Sequence, residues 1–247
     1  MTTCIFTSNS SIKHDTGPGH PECPERIPAI LNGLKKIQSQ KLIWKEIGSF
    51  DEKYIELTHS QKYLEKINQS FPKEDLVFLD GDTIVSKGSK KAAYDAVGAI
   101  INAIDAVMNQ EFNNAFCVVR PPGHHAEKEQ AMGFCIFNNV AVGATYLLEK
   151  YKANYKIRYH VSGESFLTKP NKTVYMIKNV IKKSTKINPV LSTTGGTSDA
   201  RFIKKISPCV EFGLIAKTIH QIDEMARLAD LKKLKNIYRD ILFNYFK

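Results

Sequence analysis

Arg120-Pro121-Pro122-Gly123-His124-His125-Ala126, followed by Gly133-Phe134-Cys135-Ile136-Phe137-Asn138-Asn139, decides the reading of this chain. An apolar run, residues 115–119, precedes it and has the composition of a strand. The Pro-Pro-Gly that follows ends the strand and turns the chain. Two adjacent imidazoles therefore sit at a strand's C-terminal end, where the active sites of open α/β sheets lie. A histidine pair can take up and return protons near neutral pH.

The segment before this stretch reads as alternating α/β. Residues 3–8 are apolar and β-branched, as in a first strand. His14-Asp15-Thr16-Gly17-Pro18-Gly19-His20-Pro21-Glu22 is a loop, punctuated by glycine and proline. Pro24-Glu25-Arg26 opens a helix to about Ile37, with Ile27, Ile30, Leu31 and Leu34 on its inner face. Helices are expected over 60–71, over 86–108 with Ala92, Ala93, Ala96, Ile100, Ile104 and Val107 inward, and over 138–151. After the boundary, strands are expected at 156–161, 190–193 and 210–213 and a helix at 173–183. A terminal helix at 229–245 presents Leu231, Leu234, Tyr238, Ile241, Leu242 and Tyr245 on one face.

Charge divides the chain near the same boundary. Residues 1–152 hold 17 Lys+Arg against 18 Asp+Glu, whereas residues 153–247 hold 18 against 7. The basic residues are mostly lysines spread along helices, without an arginine-rich cluster, so no nucleic-acid partner is expected. No apolar run reaches the roughly 20 residues that span a bilayer, and no signal peptide or membrane partner is expected. Five scattered cysteines without a C-x-x-C pair read as reduced thiols in a cytoplasm.

The first segment resembles the histone-deacetylase and acetoin-utilisation family of zinc amidohydrolases. The resemblance runs in order through His14-Asp15, the block Gly17 to Arg26, Thr58-His59-Ser60, Asp80-Gly81-Asp82-Thr83, the histidine pair and Gly133-Phe134-Cys135. It implies a parallel-sheet domain over 1–152. It also implies proton-transfer roles for His124 and His125, a place for Phe134 along an acyl-lysine tunnel, and substrate binding by Asp82. His20 and Glu22 read as loop scaffolding. The family's next strand carries an Asp-x-His pair, a later loop carries a second ligand Asp, and a late Gly-Gly-Tyr carries the catalytic tyrosine. This sequence contains none of the three.

Residues 156–247 resemble the C-terminal end of succinyl-diaminopimelate desuccinylase, an M20-type dinuclear zinc hydrolase. The resemblance rests on Ser162 to Pro170, on Leu191 to Phe202 with its Gly195-Gly196-Thr197 loop, and on Val210-Glu211-Phe212-Gly213 with Thr218-Ile219-His220. It implies a substrate-carboxylate role for Gly195, Gly196 and Thr197 and an ancestral metal-ligand role for His220. An asparagine usually stands four positions before that histidine; here it is Ala216.

The expected fold class is α/β: part of a deacetylase-like parallel sheet fused to a smaller M20-like α/β piece. Zinc belongs to both parent families, but neither ligand set is complete, because a catalytic zinc takes about three protein ligands. The leading expectation is therefore a fusion relic without catalysis or cofactor, able to self-associate through exposed strand edges. A zinc-dependent deacylase with unexpected ligands and a binding module built on the His124/His125 cleft stay open.

Overall fold

Strand β1 (Thr3–Thr7) is the centre of the sheet, because it alone has a partner on each side. The computed structural model describes every residue of the chain except 38, 162, 194–197, 215–217 and 219–222. Along the chain β1 is followed by α1 (Ser10–Lys13), α2 (Arg26–Lys35), β2 (Leu42–Glu46), α3 (Lys53–Glu56) and α4 (Gln61–Ser70). Then come β3 (Val77–Phe78), β4 (Ile84–Val85), α5 (Ser89–Met108), β5 (Asn114–Val118) and α6 (Asn139–Tyr151). The second part of the chain contributes α7 (Lys172–Thr185), α8 (Ala200–Ile203) and α9 (Leu228–Tyr245). Two compact units result, Met1–Lys156 and Ile157–Lys247.

In the first unit the sheet order is β2-β1-β5, and both pairings are parallel. Parallel strands need crossovers, and helices cover both faces of such a sheet. Alternation along β1 sends Cys4 and Phe6 to one face, where they meet Ala99, Ala103 and Ala106 of α5. Ile5 goes to the other face, against Ile27, Leu31 and Leu34 of α2. Small alanines on α5 let helix and sheet approach closely. The largest core cluster lies among the helices: Ile55, Tyr63, Leu64 and Ile67 pack on Val97 and Ile101 of α5 and on Val142 and Tyr146 of α6. Gly143 permits that approach, since a Cβ there would stand 2.6 Å from Ile100 Cγ1. The two-residue strands β3 and β4 form a small antiparallel pair beside the loop that bears Asp82.

The second unit differs from expectation. Residues 156–161, 190–193 and 210–213 form no strand, and all strands among the described residues lie in the first unit. Backbone in an extended conformation becomes a strand only beside another strand, and none is supplied to these segments. The described core of this unit is instead a helix pair: Val180 and Ile181 of α7 pack on Ile237 of α9, with Met176, Ile177, Phe212 and Ile241 around them. The expected inner face of α9 is kept in part: Leu234 and Ile241 are half-buried. Ile237 is buried, whereas Leu231, Tyr238, Leu242 and Tyr245 are exposed. Ile30 of α2, also expected inside, is exposed as well. All five cysteines are free thiols.

Candidate functional site

The site begins where β5 ends. Arg120 follows the strand, and its guanidinium is buried. It donates to the Glu22 carboxylate through both Nε and Nη2, the latter at 2.8 Å, and to the carbonyls of Ser11 (2.7 Å) and His14 (2.9 Å). A buried charge stays folded only when paired and fully hydrogen-bonded, and this one is. The pair ties the loop after β1 to the end of β5 and forms the floor of a cleft of about 440 Å³.

His14 lies against the same pair. Its Nδ1 is 2.7 Å from the Ser89 hydroxyl. Burial, with the nearby Arg120 charge second, pushes its pKa down to about 3. The Glu22 carboxylate is 3.6 Å from Nε2 and alone would oppose this, but Arg120 already neutralises it. His14 is therefore a neutral scaffold residue.

His124 and His125 stand on the cleft wall with ring centroids 4.3 Å apart and planes inclined at 47°. Both are exposed, and no protein hydrogen bond among the described residues engages either imidazole. Their position is set by what surrounds them. Asn138 donates from Nδ2 to the Ala126 carbonyl (2.9 Å) and accepts from Ala141 N–H (3.0 Å) as the N-cap of α6. Its own N–H donates to His59 Nε2 at 2.8 Å, while His59 Nδ1 faces the Lys128 carbonyl at 3.3 Å. That arrangement selects one neutral tautomer of His59, and burial lowers its pKa.

Gly133 and Phe134, the centre of the turn Met132-Gly133-Phe134-Cys135, also line the cleft, with Gly133 packed against His125. Cys135 N–H donates to the Met132 carbonyl (3.0 Å), and the two central residues have φ of +57° and +70°, as in a type I′ turn. Gly133 is required twice over: by that φ, and because a Cβ there would stand 2.9 Å from the His125 side chain. Phe134 holds a conformation unfavourable to a side chain, stabilised by its N–H donating to Thr83 Oγ1 (3.1 Å). Its ring meets His20 edge-on at 4.8 Å. His20 Nδ1 lies 3.1 Å from the Glu22 backbone nitrogen and 3.0 Å from its carbonyl oxygen, and Nε2 faces the Asp82 carbonyl at 3.1 Å.

The cleft thus brings His124, His125, Phe134 and Asp82 together. It adds Arg26, Ile27 and Ile30 from α2, which no motif singled out for the site, and the Arg120–Glu22 floor. The role of Glu22 was visible only as scaffolding; its partner, 98 residues away, has no sequence signature. Gly195, Gly196, Thr197 and His220, together with Ala216, lie outside the described residues. Among the described residues no three His, Cys, Asp or Glu side chains converge as a metal site. The cleft's donor set therefore does not fit a zinc centre: two imidazoles and Asp82 do not form a ligand cluster. What the arrangement offers is proton exchange at two solvent-reachable imidazoles beside an apolar wall of Ile27, Ile30 and Phe134.

A parallel sheet with a histidine pair at its strand ends, over a buried Arg–Glu floor, defines the first unit as deacetylase-like. Residues 20–159 match the family model of the histone deacetylase domain, and the chain belongs to that family. It is 36% identical over 161 residues to histone deacetylase 5 of Arabidopsis thaliana, covering 59% of this chain and 24% of that protein. The solved structure of the HDA15 HD domain superposes with a TM-score of 0.55 at 25% identity, covering 59% of this chain and 42% of that one. A separate partial match joins it to succinyl-diaminopimelate desuccinylase of Pelagibacter ubique, 66% identical over 100 residues, 40% of this chain and 26% of that enzyme. The chain thus spans about a quarter of the length of these two curated relatives. Separate stretches of the sequence are thus similar to two different families.

Proposed function

We propose that this chain is a fusion relic: part of a deacetylase-family domain joined to the tail of a desuccinylase, keeping an acyl-lysine-shaped cleft without hydrolysing amides. The observation that carries the reading is the composition of the cleft, which holds the pair His124/His125 with Asp82 and Glu22 nearby, while no three His, Cys, Asp or Glu side chains among the described residues converge to hold a metal. Amide hydrolysis at neutral pH needs a Lewis acid to polarise the carbonyl and acidify water, from about 15.7 to near 7. A histidine pair moves protons but does not supply that activation. In this reading Phe134, Ile27 and Ile30 receive an apolar chain, and Asp82 holds a polar group at the rim. The desuccinylase-derived segment contributes a single ancestral ligand, His220, and a loop at Gly195, Gly196 and Thr197. The free thiols suit a reducing cytoplasm.

The test is an assay of acetyl-lysine peptides and succinyl-diaminopimelate with added zinc or cobalt, comparing the wild-type chain with His124→Ala, His125→Ala and His220→Ala. Equal background in all four chains is expected, as is less than stoichiometric zinc by elemental analysis. Turnover lost in the His124 and His125 variants would restore a zinc-dependent deacylase. Turnover lost only in His220→Ala would assign the activity to the desuccinylase-derived tail.

A further inference from the structure

The two edges of the three-stranded sheet are unlike. Strand β2 carries Lys45 and Glu46, is preceded by Lys41, and has Lys45 bonded to Glu111 at 2.8 Å. Charges of this kind protect an edge against further pairing. Strand β5, Asn-Ala-Phe-Cys-Val, has no charged residue from Phe112 to Val119 and no proline before Pro121. Among the described residues, no backbone hydrogen bond outside the β1 ladder engages residues 115–118. One row of donors and acceptors on β5 is therefore without a protein partner in a strand whose flanks are those of a core strand: α5 packs beside it, and Val118 is 2% exposed. Phe116 is the exception, 47% exposed on the face that α2 covers elsewhere.

We infer that the free edge of β5 is the interface for a second copy of this chain. The strand is its own complement. Antiparallel pairing about a twofold axis through Phe116 sets Phe116 opposite its counterpart, Ala115 opposite Cys117, and Asn114 opposite Val118. No charge meets a like charge anywhere in that register. Aromatic pairs directly across antiparallel strands are stabilising, and burying Phe116 removes the largest exposed side chain of β5. The alternative of β5 against a neighbour's β2 is head-to-tail, would propagate as an open array, and brings Lys45 and Glu46 against an uncharged strand. The twofold arrangement closes after two copies and makes one continuous six-stranded sheet, β2-β1-β5 joined to its mirror order. Five residues per strand is a short interface, so the dimer is concentration-dependent.

The experiment is sedimentation of the full chain over a concentration series, with Phe116→Lys and Phe116→Glu measured separately and mixed. The wild-type chain is expected to shift from monomer to dimer with rising concentration and to stop there. Each charged variant is expected to remain monomeric, because it opposes its own charge across the twofold axis, while the equimolar mixture recovers the dimer. That recovery also shows that both variants are folded. A monomeric wild-type chain in which the β5 amides pointing away from β1 resist hydrogen exchange would mean that another part of the chain covers the edge, and would overturn the inference. So would a monomer with unprotected amides, a dimer indifferent to both substitutions, or a mixture that stays monomeric although circular dichroism shows both variants folded.

Discussion

Gly133 shows how one residue can hold a histidine pair in place. Its φ of +57° suits glycine, and the His125 ring occupies the space a Cβ would need, at 2.9 Å. Gly133→Ala is expected to destabilise the chain by about 1–3 kcal/mol and to displace the His125 imidazole. Urea denaturation measures the first effect and the imidazole proton shifts the second. The buried Arg120–Glu22 pair is a different kind of residue-scale device. Removing one partner leaves an unpaired charge in the core, so Glu22→Gln is expected to cost about 3–5 kcal/mol in the same denaturation experiment. His14 makes a prediction about pH. Its folded pKa of about 3 lies below the unfolded value of 6.5, so the unfolded chain binds a proton that the folded chain refuses between those values. Its contribution to stability is full above pH 6.5 and is lost as pH falls toward 3, at up to about 1.4 kcal/mol per pH unit. His59, lowered by its burial, acts in the same direction. Stability measured against pH should therefore fall on the acid side of 6.5, and His14→Asn should reduce that slope.

At the scale of elements, Asn138 joins the histidine loop to a helix. It caps α6, holds the Ala126 carbonyl and donates to His59. Asn138→Ala should cost about 1–2 kcal/mol, the usual value for a lost cap, and should raise the hydrogen-exchange rate of residues 124–126. The cap also shows which elements were legible in the sequence. Helices α4, α5 and α6 fall within about three residues of expectation because their signals are local: Ser60 and Asn138 as caps, and alanine and valine at helical spacing. The motif-bearing turns were legible for the same reason, and His124, His125, Phe134 and Asp82, singled out from them, line one cleft. The strands at 156–161, 190–193 and 210–213 were misread because strand formation is not local. Alternation such as Tyr155, Ile157, Tyr159 and Val161 states a preference for one buried face, yet these four side chains are 65–87% exposed. Periodicity placed the inner face of α9 only in part: Ile241 packs in the cluster as expected, but Ile237, outside the expected stripe, is the residue buried against α7. Neither Arg26 in the cleft nor the Arg120 contacts had a local signature.

At the scale of the whole molecule, burial is unevenly shared, and this sets how the chain should open. Among the described residues, the fully buried apolar side chains of Ile157–Lys247 are Val174, Val180, Ile181 and Ile237, while the first unit holds three packed clusters around its sheet and helices. Ordering each residue costs roughly 1–2 kcal/mol of backbone entropy, which only burial and hydrogen bonding offset. The second unit has little of the first and no sheet ladder among its described residues. Local opening there should therefore require far less free energy than global unfolding. Its 17 Lys+Arg make it rich in tryptic sites, including Arg158, Lys172 and Lys186, and Lys156 immediately precedes it. Brief trypsin treatment is expected to cut first within residues 156–190 and to leave a resistant fragment ending near Lys152 or Lys156. Calorimetry is expected to give a broad transition whose van't Hoff enthalpy falls short of the calorimetric one, because the two units do not unfold as one cooperative body. Cleavage appearing first inside α5 or β5, or a single sharp transition of the full chain with matching enthalpies, would show instead that the two units unfold as one cooperative body.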